Sequence, residues 1–285
     1  MKIKKISPQE NKYLQILDSI AKKPEALHYI GNLLSERLPS VAIVGTRKPT
    51  SYGKEVTTRF SFELARAGIV IVSGLALGVD GLAHKGAIEA DGHTIAILGN
   101  GLPDIYPSSH HQLANEIIKA GGAIISEYDE GAPALPHQFL ERNRLISGLA
   151  DAVLITEAAA KSGTMNTAMH ALEQGKEVFV IPGNITSPMS AGCNLLIRQG
   201  ATPVTSPDDI LEVIAPHTLT SQTTLALGTN SSETTVLKLL GEGIRDGDEL
   251  LQKSKLEQQE FATTMTMLEI NGQIRPLGAN QWAVR

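Results

Sequence analysis

The sequence contains little of several residue types that would indicate particular structures or functions. Only one of its 285 residues is cysteine, Cys193, which excludes an internal disulfide and suits a reducing compartment. Aromatic residues make up 4% of the chain, so any surface that stacks bases must depend on very few rings. A basic excess is also missing. With a formal net charge of −5, the chain could hold a polyanion only through clustered cations.

Signals for membranes, secretion and metals are missing as well. No apolar run approaches the length of a membrane span, and the first ten residues, MKIKKISPQE, lack the apolar core of a secretion signal. The expected location is therefore the cytoplasm. The metal-site spacings C-x-x-C and H-x-x-x-H do not occur, and the adjacent His110 and His111 would point to different sides. We predict no metal, no cofactor and no catalytic residue.

The middle of the chain alternates short apolar runs with amphipathic stretches. Apolar strands separated by helices are typical of a parallel sheet that is covered on both faces, and right-handed crossovers then give a doubly wound, Rossmann-like α/β fold. The predicted strands are Val41–Gly45, Ile69–Ser73, Thr94–Leu98, Ala123–Ser126, Ala152–Thr156 and Glu177–Ile181. The predicted helices include Lys54–Ala67, Val79–Ala90, His111–Ala120 and Asn166–Gln174.

The composition changes after residue 214. A polar stretch rich in serine and threonine predicts a linker, and three short helices followed by two short strands then predict a small C-terminal winged-helix domain. The expected segments are an N-terminal extension leading into the sheet (1–38), a Rossmann-like domain (39–216), a linker (217–232) and a winged helix (233–285). The third helix of the winged domain, Leu256–Ile270, is acidic, whereas a helix that reads the major groove would be basic. We therefore expect this domain to contact protein rather than DNA.

Three glycine-containing loops follow strands, and ligands of such sheets bind beyond the carboxyl ends of the strands. In Gly45-Thr46-Arg47 the turn exposes backbone N–H groups beside a helix N-terminus, and Arg47 and Lys48 add charge. The second loop begins at Ser73-Gly74. The third, Lys161-Ser162-Gly163, offers hydroxyls and the free N–H groups of a first helical turn. A plain structural turn at Gly45, with Arg47 in solvent, remains an open alternative.

The most suggestive cluster is Arg142-Asn143-Arg144, with Phe139 just before it. Guanidinium groups pair with phosphate oxygens, an asparagine amide can reach a phosphate or a base edge, and a phenylalanine ring can stack on a base. One of the two arginines could instead form an internal ion pair, and we expect at least one to face a ligand. Together with the three loops, this cluster fits an extended polyanion better than a single small molecule.

These stretches resemble the DNA-processing protein A (DprA/Smf) family. In the family's order they are Val41–Gly53, Ser73–His84, Thr94–Pro107, Ser126–Tyr128, Phe139–Leu149, Glu157–Thr167 and Val180–Asn184. The resemblance implies a cytoplasmic bacterial homodimer, with no established catalytic activity, that binds single-stranded DNA. It also implies protection of incoming DNA in natural transformation and loading of the RecA recombinase for recombination. The resemblance and the residues together assign DNA binding to Gly45, Arg47, Lys48, Ser73, Gly74, Phe139, Arg142, Asn143, Arg144, Lys161, Ser162 and Gly163.

Two positions depart from the family's pattern. Leu77 stands where S-G-L-A-R-G-[IV]-D has arginine, and Glu141 adds an acid within the segment that is usually F-P-x-R-N-R. Both changes weaken the attraction for phosphate.

Two enzyme classes that share this fold class have sequence signatures that this chain lacks. Nucleoside-monophosphate phosphoribohydrolases of the lysine-decarboxylase-like fold have a P-G-G-x-G-T-x-E signature, and Asn166 stands where their catalytic glutamate belongs. An amide cannot move a proton as a carboxylate does. A dinucleotide-dependent enzyme would need G-x-G-x-x-G and a downstream acid, and the chain has neither. A protein-binding scaffold remains open, because fold does not settle function.

Overall fold

The computed structural model describes residues 2–216, 230–241, 244–278 and 280–284. The chain divides into two compact units at residue 218. Most of the predicted linker, residues 217–229, lies outside the described residues, and its last residues already begin a helix at Ser231.

The first unit is built on a nine-stranded sheet. Its strands are β1 (Lys4–Ile6), β2 (Leu27–Gly31), β3 (Ser40–Val44), β4 (Val70–Ser73), β5 (Thr94–Leu98), β6 (Ala123–Ser126), β7 (Ala152–Ile155), β8 (Glu177–Val180) and β9 (Thr202–Pro203). Its helices are α1 (Ser51–Arg66), α2 (Val79–Glu89), α3 (His111–Lys119), α4 (Pro136–Leu149), α5 (Gly163–Glu173), α6 (Ala191–Arg198) and α7 (Pro207–Ile214). The strand order is β1-β2-β6-β5-β4-β3-β7-β8-β9.

The prediction of a doubly wound, mostly parallel sheet is confirmed. The six predicted strands are β3 to β8, and neighbouring strands from β6 to β9 in the sheet order run parallel. Sequence patterns did not indicate β1 and β2, which extend the sheet as antiparallel strands beside β6. They are short, and β1 carries two lysines at an exposed edge.

Both faces of the sheet are covered, so successive strand residues enter different cores. In β5, Ile95 and Ile97 pack into the core that includes α4, α5 and α6, whereas Ala96 and Leu98 face the core that includes α3. All five residues of β5 are buried, which explains the continuous apolar run in the sequence.

The strand order reverses at β3. From β3 the chain builds β4, β5 and β6 outward on one side, and it then returns to place β7 on the other side. The loops after β3 and β7 therefore leave in opposite directions and open a crevice between them, where such sheets bind ligands. Helix α4 packs on β3, β4 and β5 and forms one wall of this crevice.

The second unit is a winged helix, as predicted. It contains α8 (Ser231–Gly241), α9 (Gly247–Ser254) and α10 (Gln258–Ile270), followed by the antiparallel strands β10 (Ile274–Gly278) and β11 (Gln281–Val284). Its core is a single apolar cluster: Val236, Leu237, Leu240, Leu250, Met265, Leu268 and Ile274.

Among the described helices of both units, none is long and apolar enough to cross a membrane.

Candidate functional site

A cleft of about 390 Å³ opens at the reversal point of the sheet. Its walls come from the end of β3 and the loop after it, the loop after β4, one face of α4 and the first turn of α5. Its lining residues are Val44, Gly45, Thr46, Arg47, Ala76, Asp80, Phe139, Leu140, Arg142, Asn143, Ile146, Ser162, Gly163, Thr164 and Thr167. Segments more than 100 positions apart in the sequence thus meet in one cleft.

The loops beneath the cleft are locked together through their backbones. Thr46 donates its N–H to the Glu157 carbonyl at 2.7 Å, and Val79 donates its N–H to the Thr46 carbonyl at 3.1 Å. Gly45 lies where these loops contact each other, and an added Cβ there would come within 2.8 Å of the Glu157 carbonyl oxygen. Gly78 adopts a φ of +80° and an added Cβ there would meet the Thr46 carbonyl at 2.4 Å. These two glycines therefore permit a close backbone contact that other residues would block.

In or next to two of the three loops predicted to bind anions, a carboxylate of the chain itself already accepts hydrogen bonds. At the start of α1, Glu157 accepts hydrogen bonds from the Thr50 N–H at 2.8 Å and from the Thr50 hydroxyl at 2.7 Å. In the loop after β4, the Asp80 carboxylate accepts from the N–H groups of Gly74 at 3.1 Å and Ala76 at 3.4 Å. Burial raises the pKa of Asp80, while Arg142 and these N–H groups lower it. The N–H groups of Thr50, Gly74 and Ala76 are thus occupied within the chain.

The third loop is open. Ser162 occupies the N-cap position of α5, but its hydroxyl makes no capping hydrogen bond. That hydroxyl is buried and has no hydrogen-bond partner among the described residues. The first N–H groups of a helix have no partners within the helix, and they carry its partial positive charge. The first turn of α5, at Ser162 and Gly163, is therefore the part of the cleft where backbone donors remain for a ligand.

Helix α4 presents Phe139, Arg142, Asn143 and Ile146 to the cleft, a spacing of three and four residues that defines one helix face. Arg142 is 4% exposed. Its Nη1 donates to the Gly74 carbonyl at 2.7 Å and to the Ile97 carbonyl, and its Nε donates to Asn143 Oδ1 at 3.3 Å. Burial lowers the pKa of Arg142 to about 10, so this group stays protonated at neutral pH. Its Nη2 makes no hydrogen bond among the described residues and is left for a ligand.

Asn143 joins α4 to the start of α5. Its Nδ2 donates to Asn166 Oδ1 at 3.1 Å and lies 3.5 Å from the Gly163 carbonyl. Both polar ends of Asn143 are therefore engaged within the chain, and the residue sets the distance between Arg142 and the open turn of α5.

Two predicted DNA contacts need correction. Ser73 is fully buried and donates its hydroxyl to the Ile43 carbonyl at 2.7 Å, so it has no surface to offer a ligand. Arg144 points away from the cleft, because it follows Arg142 by two residues and so lies about 200° around the helix from it. Its Nη2 donates to both carboxylate oxygens of Glu127, at 2.6 and 2.8 Å. The sequence placed only Glu141 near this arginine, whereas Glu127 comes from the segment that follows β6.

The remaining predicted cations are exposed. Arg47 lines the cleft, whereas Lys48 and Lys161 are exposed and do not line it. Tyr106 was not singled out from the sequence, yet it lies at the mouth of a smaller adjoining cleft together with Arg47, Phe139 and Arg142. The sequence could have indicated Tyr106 as a site residue, because it falls within the segment Thr94–Pro107 that resembles the family.

The described residues contain no group of three or more histidine, cysteine, aspartate or glutamate side chains that could hold a metal ion.

The fold and the site define a class of protein: a doubly wound α/β unit with a cationic cleft at its strand-order reversal, in a chain that also carries a winged helix. The phosphate position at the first helix, which dinucleotide enzymes use, is filled here by Glu157. The family model described as DNA recombination-mediator protein A matches residues 4–215, and that of the DprA winged helix domain matches residues 220–280. The chain belongs to the DNA recombination-mediator protein A family.

Individual relatives agree with this assignment. The chain is 47% identical over 189 residues to protein Smf of Escherichia coli, covering 66% of this chain and 50% of that protein. It is 42% identical over 197 residues to the DNA processing protein DprA of Bacillus subtilis, covering 69% and 66%. The chain thus spans about half to two thirds of the length of these curated relatives.

Solved structures show the same fold. DNA processing protein A of Streptococcus pneumoniae superposes with a TM-score of 0.69 at 37% identity, covering 75% of both chains. A structure of DNA processing protein A of Helicobacter pylori, described for its single-stranded DNA binding mode, gives 0.66 at 32% identity, covering 76% of this chain and 97% of that one.

Proposed function

We propose that the chain binds single-stranded DNA in the cleft between α4 and the first turn of α5, holding the strand by its phosphates. The Helicobacter pylori relative is described as binding single-stranded DNA, and the chain covers nearly all of that solved structure. The contacts we assign are the Arg47 and Arg142 guanidinium groups, the Ser162 hydroxyl and the N–H groups at Gly163.

The buried cation at Arg142 carries this proposal. Its charge lies in the protein interior, where the buried Asp80 carboxylate stabilises it electrostatically but makes no direct ion pair or hydrogen bond with it among the described residues. A buried charge without a hydrogen-bonded counterion is costly, and the Asp80 carboxylate bonds to backbone N–H groups rather than to Arg142. A phosphate oxygen at Nη2 would supply such a counterion through a charge-assisted hydrogen bond. The open first turn of α5 favours an anion in the same cleft.

The biological task that fits this binding is handling of single strands in natural transformation and recombination. Protection of incoming DNA and loading of a RecA recombinase, by a homodimer in the cytoplasm, are the finer parts of the proposal. They rest on the family, because the Bacillus subtilis and Streptococcus pneumoniae relatives are DNA processing proteins. The acidic winged helix is proposed as a surface for protein partners.

No catalytic step is part of the proposal. Asn166, at the position of the phosphoribohydrolase glutamate, accepts a hydrogen bond from Asn143 and offers no carboxylate. The carboxylate of Asp80, which does line the cleft, is held by two backbone N–H groups.

The test is binding of a fluorescent oligothymidylate, followed by anisotropy over a range of salt concentrations. Wild type should bind, and the logarithm of its affinity should fall linearly with the logarithm of salt concentration. Arg47→Ala should weaken binding by about tenfold, the value of one hydrogen bond to a charged group. It should also make the salt slope shallower by about 0.7, the contribution of one phosphate on a single strand.

Arg66→Ala is the matched control, because Arg66 is an exposed arginine at the far end of α1 that pairs with Glu63 at 2.8 Å. Its binding curve should match wild type. A wild-type protein that binds no oligothymidylate at low salt would overturn the proposed function. Equal losses in the two variants would overturn the assignment to this cleft.

A further inference from the structure

Beside the phosphate cleft lies a smaller cleft of about 50 Å³ that contains a pair of aromatic rings. We propose that Tyr106 is the platform on which this protein stacks one unpaired base of the bound strand. The proposal rests on the proposed function, and it assigns base contact to a residue outside the arginine and glycine segments.

The two clefts adjoin each other, since they share part of their lining. Arg47, Ala76, Phe139 and Arg142 line both of them, and Tyr106 lies in the smaller one alone. A nucleotide whose phosphate lies at Arg142 therefore has an aromatic surface within reach of its base. The guanidinium groups of Arg47 and Arg142 flank the same space and add favourable contacts with a base or a ring.

Tyr106 offers the more exposed ring of this pair, since Phe139 is only partly exposed. The ring centroids lie 5.2 Å apart with planes inclined by 39°. Phe139 also packs tightly on Gly99, where an added Cβ would come within 2.8 Å of the phenylalanine ring. Tyr106 is 49% exposed, and its hydroxyl has no hydrogen-bond partner among the described residues. Phe139 thus packs against the tyrosine, and Tyr106 has surface left for a base.

Apart from Arg47 and Arg142, the side chains that line the smaller cleft are apolar or aromatic and suit the face of a base. Leu77 lines this cleft and is half-exposed, at a position where the family pattern has arginine. A base in a duplex already has both faces stacked on its neighbours, so only an unpaired base can use such a platform. The expected consequence is a preference for single strands that does not depend on charge.

Two oligomers of equal phosphate count separate this contribution from the phosphate contacts. One is an oligothymidylate, and the other has abasic sites in place of every base. For Tyr106→Ala, we expect oligothymidylate affinity to fall by roughly 5- to 150-fold, the range for one stacked base. Affinity for the abasic oligomer and the salt slopes for both should be unchanged, because no phosphate contact is lost. Tyr106→Phe keeps the ring and should restore most of the affinity.

Tyr52→Ala is the control, since Tyr52 is a comparably exposed tyrosine that lines a different cleft and donates to the Pro182 carbonyl. Thermal unfolding of each variant separates loss of fold from loss of contact, and Tyr106→Leu keeps apolar volume without a ring. Wild type binding both oligomers equally well would overturn the stacking proposal and leave the proposed function standing. Wild type binding neither would overturn the proposed function itself. Equal loss of both oligomers in Tyr106→Ala would also overturn the stacking proposal.

Discussion

The guanidinium of Arg142 lies so close to Gly74 that no other residue fits there without displacing it. A Cβ built on Gly74 would come within 2.7 Å of Cζ and both terminal nitrogens of Arg142. The Gly74 carbonyl in turn accepts from Arg142 Nη1 at 2.7 Å. The glycine is therefore present because an arginine crosses from α4 to contact the loop after β4, and this contact fixes the cation of the phosphate cleft.

Substitution of Gly74→Ala should move the Arg142 side chain and leave its carbonyl acceptors without a donor. We expect a loss of about 1–3 kcal/mol in the free energy of unfolding, the cost of leaving a buried polar group unpaired. Oligothymidylate affinity should fall as well. Urea unfolding and fluorescence anisotropy measure the two effects. Gly241→Ala is the control, since none of the described residues lies within 4 Å of an added Cβ at the end of α8. Unchanged binding in Gly74→Ala would show that the position of Arg142 does not set affinity.

The two arginines of the R-N-R cluster should behave differently. Arg144→Ala leaves Glu127 without its partner in a largely buried ion pair. It should therefore reduce the free energy of unfolding by roughly 1–3 kcal/mol, while the affinity of the folded protein stays within about twofold of wild type. Arg142→Ala should weaken DNA binding strongly. Stability is measured by urea unfolding, and binding by anisotropy at a temperature where both variants are folded. A tenfold loss of affinity in Arg144→Ala would show that Arg144 does contribute to DNA binding.

The sequence predicted the centre of the fold well because buried parallel strands are continuous apolar runs. It did not indicate α4, which buries Gln138, Arg142, Asn143 and Ser147 together with its apolar residues. A helix that buries polar side chains has no clear apolar stripe, so periodicity cannot mark it. The buried polar residues that place α4 in the candidate site therefore also prevented its prediction from apolar periodicity.

The glycines and arginines of the site could be found in the sequence, but the carboxylates that accept hydrogen bonds from the loops could not. Glu157 fills the donors at Thr50, a residue 107 positions away, and the sequence shows no sign of that pairing. The sequence also could not show that Arg144 pairs with Glu127. The direction of the Arg144 side chain follows from helix α4, which the hydrophobic pattern did not predict. The structure thereby distinguishes the open first turn of α5, beside Arg47 and Arg142, from two segments whose donors at Thr50, Gly74 and Ala76 are already bonded within the chain.

We expect His84 to make the stability of the first unit depend on pH. The His84 side chain is fully buried, and because the Thr94 hydroxyl donates to the Ile71 carbonyl, the imidazole Nδ1 donates to Thr94 at 2.7 Å. Its Nε2 has no partner among the described residues. Burial lowers the pKa of His84 to about 3, with smaller contributions from His110 and Arg142. The folded protein therefore holds the His84 imidazole in its neutral form.

A depressed histidine pKa stabilises the fold above the unfolded value of about 6.5, and that stability is lost as pH falls towards 3. Between about pH 5.5 and pH 4.5, His84 alone should reduce the free energy of unfolding by about 1.4 kcal/mol per pH unit. In His84→Gln this part of the slope should vanish, and in His137→Gln, which changes an exposed histidine, it should remain. Urea unfolding at each pH checks this. Parallel pH profiles for His84→Gln and wild type would contradict the assignment.

Leu77→Arg should strengthen binding to single strands. Leu77 is half-exposed and lines the smaller cleft beside Arg47 and Tyr106, so a longer cationic side chain at this position can reach the same strand. One added phosphate contact should raise affinity at low salt and steepen the salt slope by about 0.7. Leu77→Gln, which is polar and uncharged, serves as the control and should leave the slope unchanged. If Leu77 instead contributes mainly by contact with a base, Leu77→Arg will gain affinity for the abasic oligomer but lose part of the preference for oligothymidylate. An unchanged salt slope in Leu77→Arg would show that the bound strand does not pass this rim.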